Sequence, residues 1–140
     1  MRFIRYSPEH YMAILKCPDE DLERHGMYAH AHMDDLIAET LIDGEAILAC
    51  GGVHELWGAV VEAWLILAPG TGRSHEAVNK LKREFTRWSE MPHVHRIQAV
   101  CVAEDRKQTR FCEWLGMVNE GVLVKYGPRG ESFAMYARVK

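Results

Sequence analysis

The 140-residue sequence predicts an α/β fold, a mixed sheet of about seven strands with helices on both faces. Three features predict it. Period-two apolar runs alternate with stretches of 3–4 spacing, in the order strand, two or three helices, three strands, helix, strand, helix, two strands. Val60 to Leu67 is almost continuously apolar, the mark of a strand buried on both faces. Asp43-Gly44 sits between apolar pairs and signals a hairpin.

Each element follows from local chemistry. Arg2 to Tyr6 alternates charged and apolar side chains, as a half-buried strand does. Ser7-Pro8-Glu9 starts a helix with a hydroxyl cap, a proline at the first helical position and an acid in the first turn. Pro18 bars helical geometry at the residue before it, so that helix is expected to stop at Cys17. Pro18-Asp19-Glu20-Asp21 opens a second helix capped near Gly26, and helical spacing resumes from Met27 to about Ala38. Ala46 to Val53 reads as a strand in which Gly51-Gly52 permits a bulge or a close backbone approach. Val60 to Leu67 follows as the next strand.

After Pro69-Gly70-Thr71-Gly72, Ser74 caps the clearest helix, with Val78, Leu81, Phe85 and Trp88 on one stripe. Lys80, Lys82, Arg83 and Arg87 lie off that stripe, on a solvated face. Ile97 to Val102 is a strand, and Asp105 with Gln108 resembles a capping box opening a helix that ends at Leu115-Gly116. Gly121 to Tyr126 and Glu131 to Val139 close the sequence as two strands.

Composition narrows the function. With 48% hydrophobic and 26% charged residues the chain is ordinary and globular, and a single domain over 1–140 is expected. The formal charge is −3, but residues 1–69 carry 4 basic and 12 acidic side chains, while residues 70–140 carry 13 basic and 8 acidic. Net −8 against net +5 points to two surfaces with different ionic partners. The overall charge and the lack of a binding motif argue against nucleic acid. No leader-like apolar stretch follows Met1, and the run from Ala59 to Pro69, interrupted by Glu62, is too short for a membrane span. No membrane association and a cytoplasmic location are expected. Cys17, Cys50, Cys101 and Cys112 form no Cys-x-x-Cys pair and read as reduced, mostly buried thiols. His30 and His32, with Asp34 beside them, and His93 with His95 are alternate histidines, two residues apart rather than at the i, i+4 spacing of a helical histidine pair, so no metal is expected.

The Gly70-Thr71-Gly72-Arg73-Ser74 turn has a chemistry of its own. A helix start just behind a glycine-rich turn offers backbone N–H groups and a positive dipole end to an anion, and Arg73 adds a full charge for phosphate.

Several stretches carry a family resemblance. Ile42-Asp43-Gly44-Glu45-Ala46 followed by Cys50-Gly51-Gly52 is one, and Arg110-Phe111-Cys112-Glu113-Trp114-Leu115-Gly116-Met117 is another. Glu120-Gly121-Val122, Tyr126-Gly127-Pro128-Arg129-Gly130 and Met135-Tyr136-Ala137-Arg138 complete the set. Together with the element order, they resemble the GNAT acetyltransferases, the acyl-CoA-dependent N-acetyltransferase superfamily. Gly51-Gly52-Val53-His54, Trp57, Glu62-Ala63-Trp64 and Arg96-Ile97-Gln98-Ala99 are similar to a compact group encoded by phages and prophages.

The resemblance implies a GNAT-like, mostly antiparallel sheet, acetyl-CoA as co-substrate, and a small-molecule or protein amine as acceptor. It implies that the backbone of Leu65, Ile66 and Leu67 holds the pantetheine arm, and that Gly70, Thr71, Gly72, Arg73 and Ser74 cradle the pyrophosphate. The sequence departs from the family twice: Gly70-Thr71-Gly72 follows Pro69 directly, shortening the phosphate loop, and Cys112 stands where many members have a tyrosine. Acetyl transfer needs a base and a proton donor for the leaving thiolate. Glu62, a lone carboxylate in an apolar strand, is the preferred base, with His54 and Glu55 as alternatives, and Tyr126 is the donor. Trp57, Trp64, Trp88 and Trp114 read as core or interface residues. An edge strand near the C-terminus would permit a homodimer. The competing reading is a non-catalytic GNAT-fold phage virion or accessory protein with a degenerate cofactor site.

Overall fold

In the computed structural model, residues 1–15 and 35–140 are described. The elements are β1 (Arg2–Arg5), α1 (Pro8–Leu15), β2 (Ile37–Asp43), β3 (Ala46–Trp57), β4 (Val60–Leu67), a 3-10 turn (Thr71–Arg73), α2 (His75–Ser89), β5 (Arg96–Val102), α3 (Arg106–Trp114), β6 (Val118–Leu123) and β7 (Phe133–Val139). The strands form a 7-stranded sheet in the order β1-β2-β3-β4-β5-β7-β6. β4 and β5 pair in parallel, whereas β1–β2, β2–β3, β5–β7 and β6–β7 pair antiparallel. The helices expected between Pro18 and Ala38 fall outside the described residues, except that Ile37 and Ala38 begin β2 rather than end a helix.

The chain forms two compact units: Met1–His54 with Ala63–Glu84, and Glu55–Glu62 with Phe85–Lys140. In the first unit, the β2–β3 hairpin closes with Asp43 opposite Ala46, so its turn residues are Gly44 and Glu45, one position later than Asp43-Gly44 suggests. Gly44 has φ 59°, the left-handed value that a glycine adopts at little cost. Farther along this ladder Gly52 faces Ala38, and a Cβ there would overlap the Ile37 carbonyl oxygen and lie 3.0 Å from Trp64 Nε1. The close approach anticipated at Gly51-Gly52 is thus made by Gly52, while the bulge falls between Leu41 and Ile42.

Period-two alternation places the two helices of this unit on opposite faces. Tyr11 and Ile14 of α1 pack with Cys50 and Ile66. Ala77 and Leu81 of α2 pack with Leu41 and Ala49, and Leu65 and Leu67 join them. Ala49 and Cys50 are successive strand residues, so they point to opposite sides of the sheet. Ile14 and Leu41 are almost wholly buried, and each such side chain contributes about 1.5–3 kcal/mol.

The start of α1 differs from the expected hydroxyl cap. His10 Nδ1 accepts from the Ser7 backbone N–H at 3.2 Å and lies 2.9 Å from Thr40 Oγ1, so an imidazole three residues on satisfies the orphan amide. Ser74 caps α2 as predicted, its Oγ accepting from the Ala77 N–H at 3.2 Å.

In the second unit, Asp105 caps α3 by accepting from the Lys107 and Gln108 amides at 3.0 and 3.1 Å. Gln108 does not close a reciprocal box; its Oε1 accepts from the Val102 amide instead, tying α3 to β5. At the other end, Met117 N–H donates to Cys112 O and Gly116 N–H to Glu113 O, with Gly116 at φ 87°. That is a Schellman motif, and it explains the Leu115-Gly116 stop. β6 begins at Val118, three residues before the expected start, and irregular register between Asn119 and Gly121 interrupts its alternation.

Candidate active site

The end of β4 and the turn behind it lie within the first unit. The β4–β5 ladder comprises Val60–Glu62 opposite Arg96–Gln98, so Leu65, Ile66 and Leu67 lie beyond it. Leu48 O accepts from the Ala68 amide at 2.8 Å and from Thr71 Oγ1 at 2.9 Å, which pins the turn to β3. Gly70 takes φ 86°, and the chain then winds through Thr71–Arg73. Thr71, Arg73 and Ser74 donate their amides to Ala68 O, Gly70 O and Thr71 O at 3.1, 3.1 and 3.0 Å. The turn is therefore closed on itself, and Thr71 is a buried pin.

Gly72 and Arg73 face outward. A Cβ on Gly72 would meet nothing nearer than Leu67 Cδ1 at 4.0 Å, so a ligand can come close to the backbone there. The amides of His75 and Glu76, in the first turn of α2, have no intrahelical acceptor. The exposed positive charge and the amides without intrahelical acceptors thus sit at Arg73 and the first turn of α2, beside the open backbone of Gly72, rather than evenly over Gly70–Ser74.

A second group lies on the α1 face of the same unit. Trp64 Nε1 donates to Asp35 Oδ2 at 2.8 Å. The other carboxylate oxygen, Asp35 Oδ1, lies 3.9 Å from His54 Nδ1. Tyr6 stands edge-on to Trp64 at 5.3 Å and Tyr11 is tilted against it at 5.9 Å. Burial, with Cys50 and Asp35 nearby, pushes the Tyr6 hydroxyl up to about 12. Burial also pushes Cys50 up to about 11, against the hydrogen bond from Thr40, and raises Tyr11. Neither Asp35 nor its bond to Trp64 was marked by any motif, because its partners are 29 and 19 residues away in sequence.

The remaining predicted residues occupy other places. Glu62 is half-buried and faces Gln98 at the last rung of the parallel ladder. Alternation leaves Glu55 exposed and turns its neighbour His54 inward. Tyr126 lies outside β6, 57% exposed, with its ring edge-on to Phe133 at 5.5 Å. Cys112 is buried, and its hydrogen bond with Cys101, together with burial, holds its thiol far above the ordinary range. A proton donor so reluctant to ionise suits packing better than turnover. Tyr136 is fully buried and donates to Glu113 Oε1 at 3.1 Å.

Of the tryptophans, Trp88 is core and Trp57 lies exposed at the β3–β4 turn. His93 and His95 are exposed, and His30, His32 and Asp34 fall outside the described residues. Among the described residues, no group of three or more His, Cys, Asp or Glu side chains could hold a metal, and no helix is long and apolar enough to cross a membrane.

No family model matches the sequence, and no curated protein matches it. Solved structures do match. A chimera of the spermidine N-acetyltransferase SpeG from Vibrio cholerae and hSSAT superposes with a TM-score of 0.74 at 16% identity, covering 99% of this chain and 96% of that one. A GNAT-family acetyltransferase from Bacillus anthracis gives 0.71 at 19% identity, over 98% and 93% of the two chains. The dodecameric spermidine N-acetyltransferase from Vibrio cholerae gives 0.69 at 17% identity, over 99% and 92%. The fold is that of the GNAT acetyltransferases, a seven-stranded, mostly antiparallel open sheet with helices.

Proposed function

We propose that the protein is an acyl-CoA-dependent N-acyltransferase that moves an acetyl group from acetyl-CoA to an amine by direct attack. The observation that carries this reading is the start of α2, directly behind the end of β4 in a GNAT fold, with Arg73 and Gly72 exposed beside first-turn amides that lack intrahelical acceptors. Those groups suit the coenzyme's pyrophosphate, and the backbone of Leu65, Ile66 and Leu67, beyond the β4–β5 ladder, suits its pantetheine arm. Gly70 and Thr71 shape the turn, and Ser74 fixes the helix start. When bound, acetyl-CoA supplies the activated thioester. Glu62 takes a proton from the acceptor ammonium, and exposed Tyr126 supplies one to the departing sulfur.

The acidic first half, with 12 acidic and 4 basic residues, favours a cationic amine. The similarity of residues 51–57, 62–64 and 96–99 to the phage and prophage group supports a place in that branch, acting in the cytoplasm of the host cell. β6, exposed along nearly its whole length at one edge of the sheet, supports self-association as a homodimer.

The test is release of coenzyme A thiol from acetyl-CoA in the presence of a panel of amines, spermidine included. Glu62→Gln should lower kcat by about 100-fold while leaving acetyl-CoA affinity unchanged. Unchanged turnover would remove Glu62 as the base, and no thiol release with any amine would contradict the activity.

A further inference from the structure

Two cysteines far apart in the second unit's sequence meet in its core. Cys101 lies on β5 and Cys112 on α3, both free and buried. Sheet register and helical spacing turn the two side chains toward each other. On β5, Ala99 stands opposite Tyr136 of β7, whose hydroxyl donates to Glu113 on α3 at 3.1 Å. Tyr136 therefore points to the α3 side of the sheet, and so do Ala99 and, two residues on, Cys101. On α3, Gln108 accepts from the Val102 amide at 3.1 Å, so its stripe faces the end of β5. Cys112 comes one turn later on that stripe. The two thiols are hydrogen-bonded, Cys112 donating and Cys101 accepting.

That bond makes the two sulfurs unequal. It favours the thiolate of Cys101, against burial and the carboxylates of Asp105 and Glu113. Cys112, by contrast, keeps its proton. Thiolates rather than thiols attack oxidants, so Cys101 is the attacking sulfur and Cys112 the resolving one. Cys50 is the internal contrast: it is wholly buried beside the Thr40 hydroxyl, and burial pushes its thiol up to about 11. Cys17 lies outside the described residues.

We propose that Cys101 and Cys112 are a redox-active pair that a peroxide converts to a disulfide between β5 and α3. The proposal does not depend on the acetyl-transfer reading. The sulfur of Cys101 attacks one oxygen of hydrogen peroxide and the O–O bond breaks, leaving a sulfenic acid and one water. The sulfur of Cys112 then attacks the sulfenic sulfur. The S–O bond breaks, the S–S bond forms and a second water leaves. Both thiol protons end in those waters, and the two electrons lost by the sulfurs reduce the peroxide.

The test uses the whole chain carrying Cys17→Ser, so that Cys50, Cys101 and Cys112 are the only thiols. After brief exposure to a small excess of hydrogen peroxide, the protein is alkylated under denaturing conditions and digested with trypsin. Only Cys50 should be alkylated, and peptides 97–106 and 111–125 should appear joined, lighter by two hydrogens. Dithiothreitol should restore alkylation at all of them. The linked protein should melt about 10 °C above the reduced one, the shift expected for closing so short a loop. In a further Cys112→Ser variant the reaction should stop at a Cys101 sulfenic acid, which dimedone labels. Full alkylation of all the cysteines after peroxide would overturn the proposal. So would oxidation of Cys101 to a sulfinic acid without a link, or a link made through Cys50. A linked protein that melts below the reduced one would overturn it too, because the bond would then form only by distorting the packing of α3 on β5.

Discussion

Replacing Gly52 by alanine should destabilise the protein more than any other single-methyl change at its glycines with negative φ. The added Cβ would overlap the Ile37 carbonyl oxygen and stand 3.0 Å from both Ala38 Cα and Trp64 Nε1. Two of those neighbours are backbone atoms of β2, paired to β3 on either side of the Ala38–Gly52 rung, so neither can move without breaking the ladder. Overpacking of this kind costs about 2–3 kcal/mol. Unfolding entropy of about 2.1 cal/mol/K per residue gives about 0.29 kcal/mol/K for 140 residues. Gly52→Ala should therefore lower Tm by about 7–10 °C in a calorimetric or circular-dichroism melt. Gly72→Ala is the internal control, since its Cβ would meet only Leu67 Cδ1 at 4.0 Å. That variant should melt within about 2 °C of the wild type. A Gly52→Ala protein that also melts within about 2 °C of the wild type would refute the claim that β2 and β3 pack backbone to backbone at this rung.

Helix capping gives a second contrast. Asp105→Ala removes the acceptor of two first-turn amides and should cost about 1 kcal/mol, or about 3 °C in Tm. Ser7→Ala should not lower Tm, because the Ser7 hydroxyl makes no hydrogen bond among the described residues and the bond from its backbone amide to His10 survives the change. Stability should also fall at alkaline pH. Cys50 and Tyr6 have folded-state values raised to about 11 and about 12, so their contribution is intact below the ordinary thiol and phenol ranges and is lost as pH rises through those values. A urea-melt series from pH 8 to pH 12 should show the loss, and Cys50→Ala should weaken it. A flat profile would contradict the burial assigned to these groups.

Much of the fold was legible because its signals are local. β4 needed only a continuous apolar run, and α2 needed only Ser74 and a 3–4 stripe of side chains. The α3 stop followed from one glycine, Gly116, in the left-handed region. What escaped depends on partners far apart in sequence. Asp35 gains its meaning from Trp64 and His54, neither of which is near it in the chain. The bulge at Glu120 breaks the alternation that would have marked the start of β6. Gly70–Ser74 advertised a set of open amides, yet the turn's compactness, set by Thr71 reaching Leu48 O, spends three of them on the backbone itself. Ser7 read as a cap, but its buried Oγ has no hydrogen-bond partner among the described residues, and His10, its ring beside Thr40 on β2, accepts from the Ser7 amide instead.

Calorimetric titration of the wild-type protein with acetyl-CoA, paired with a melt at saturating ligand, bears most directly on the coenzyme-binding role given to the β4–α2 junction. A site formed by Gly72, Arg73 and the first turn of α2 should give saturable binding at one ligand per chain. At 100-fold excess over Kd the stabilisation should be about 2.7 kcal/mol, a rise in Tm of about 9 °C. No heat of binding and no shift in Tm at millimolar acetyl-CoA would contradict it.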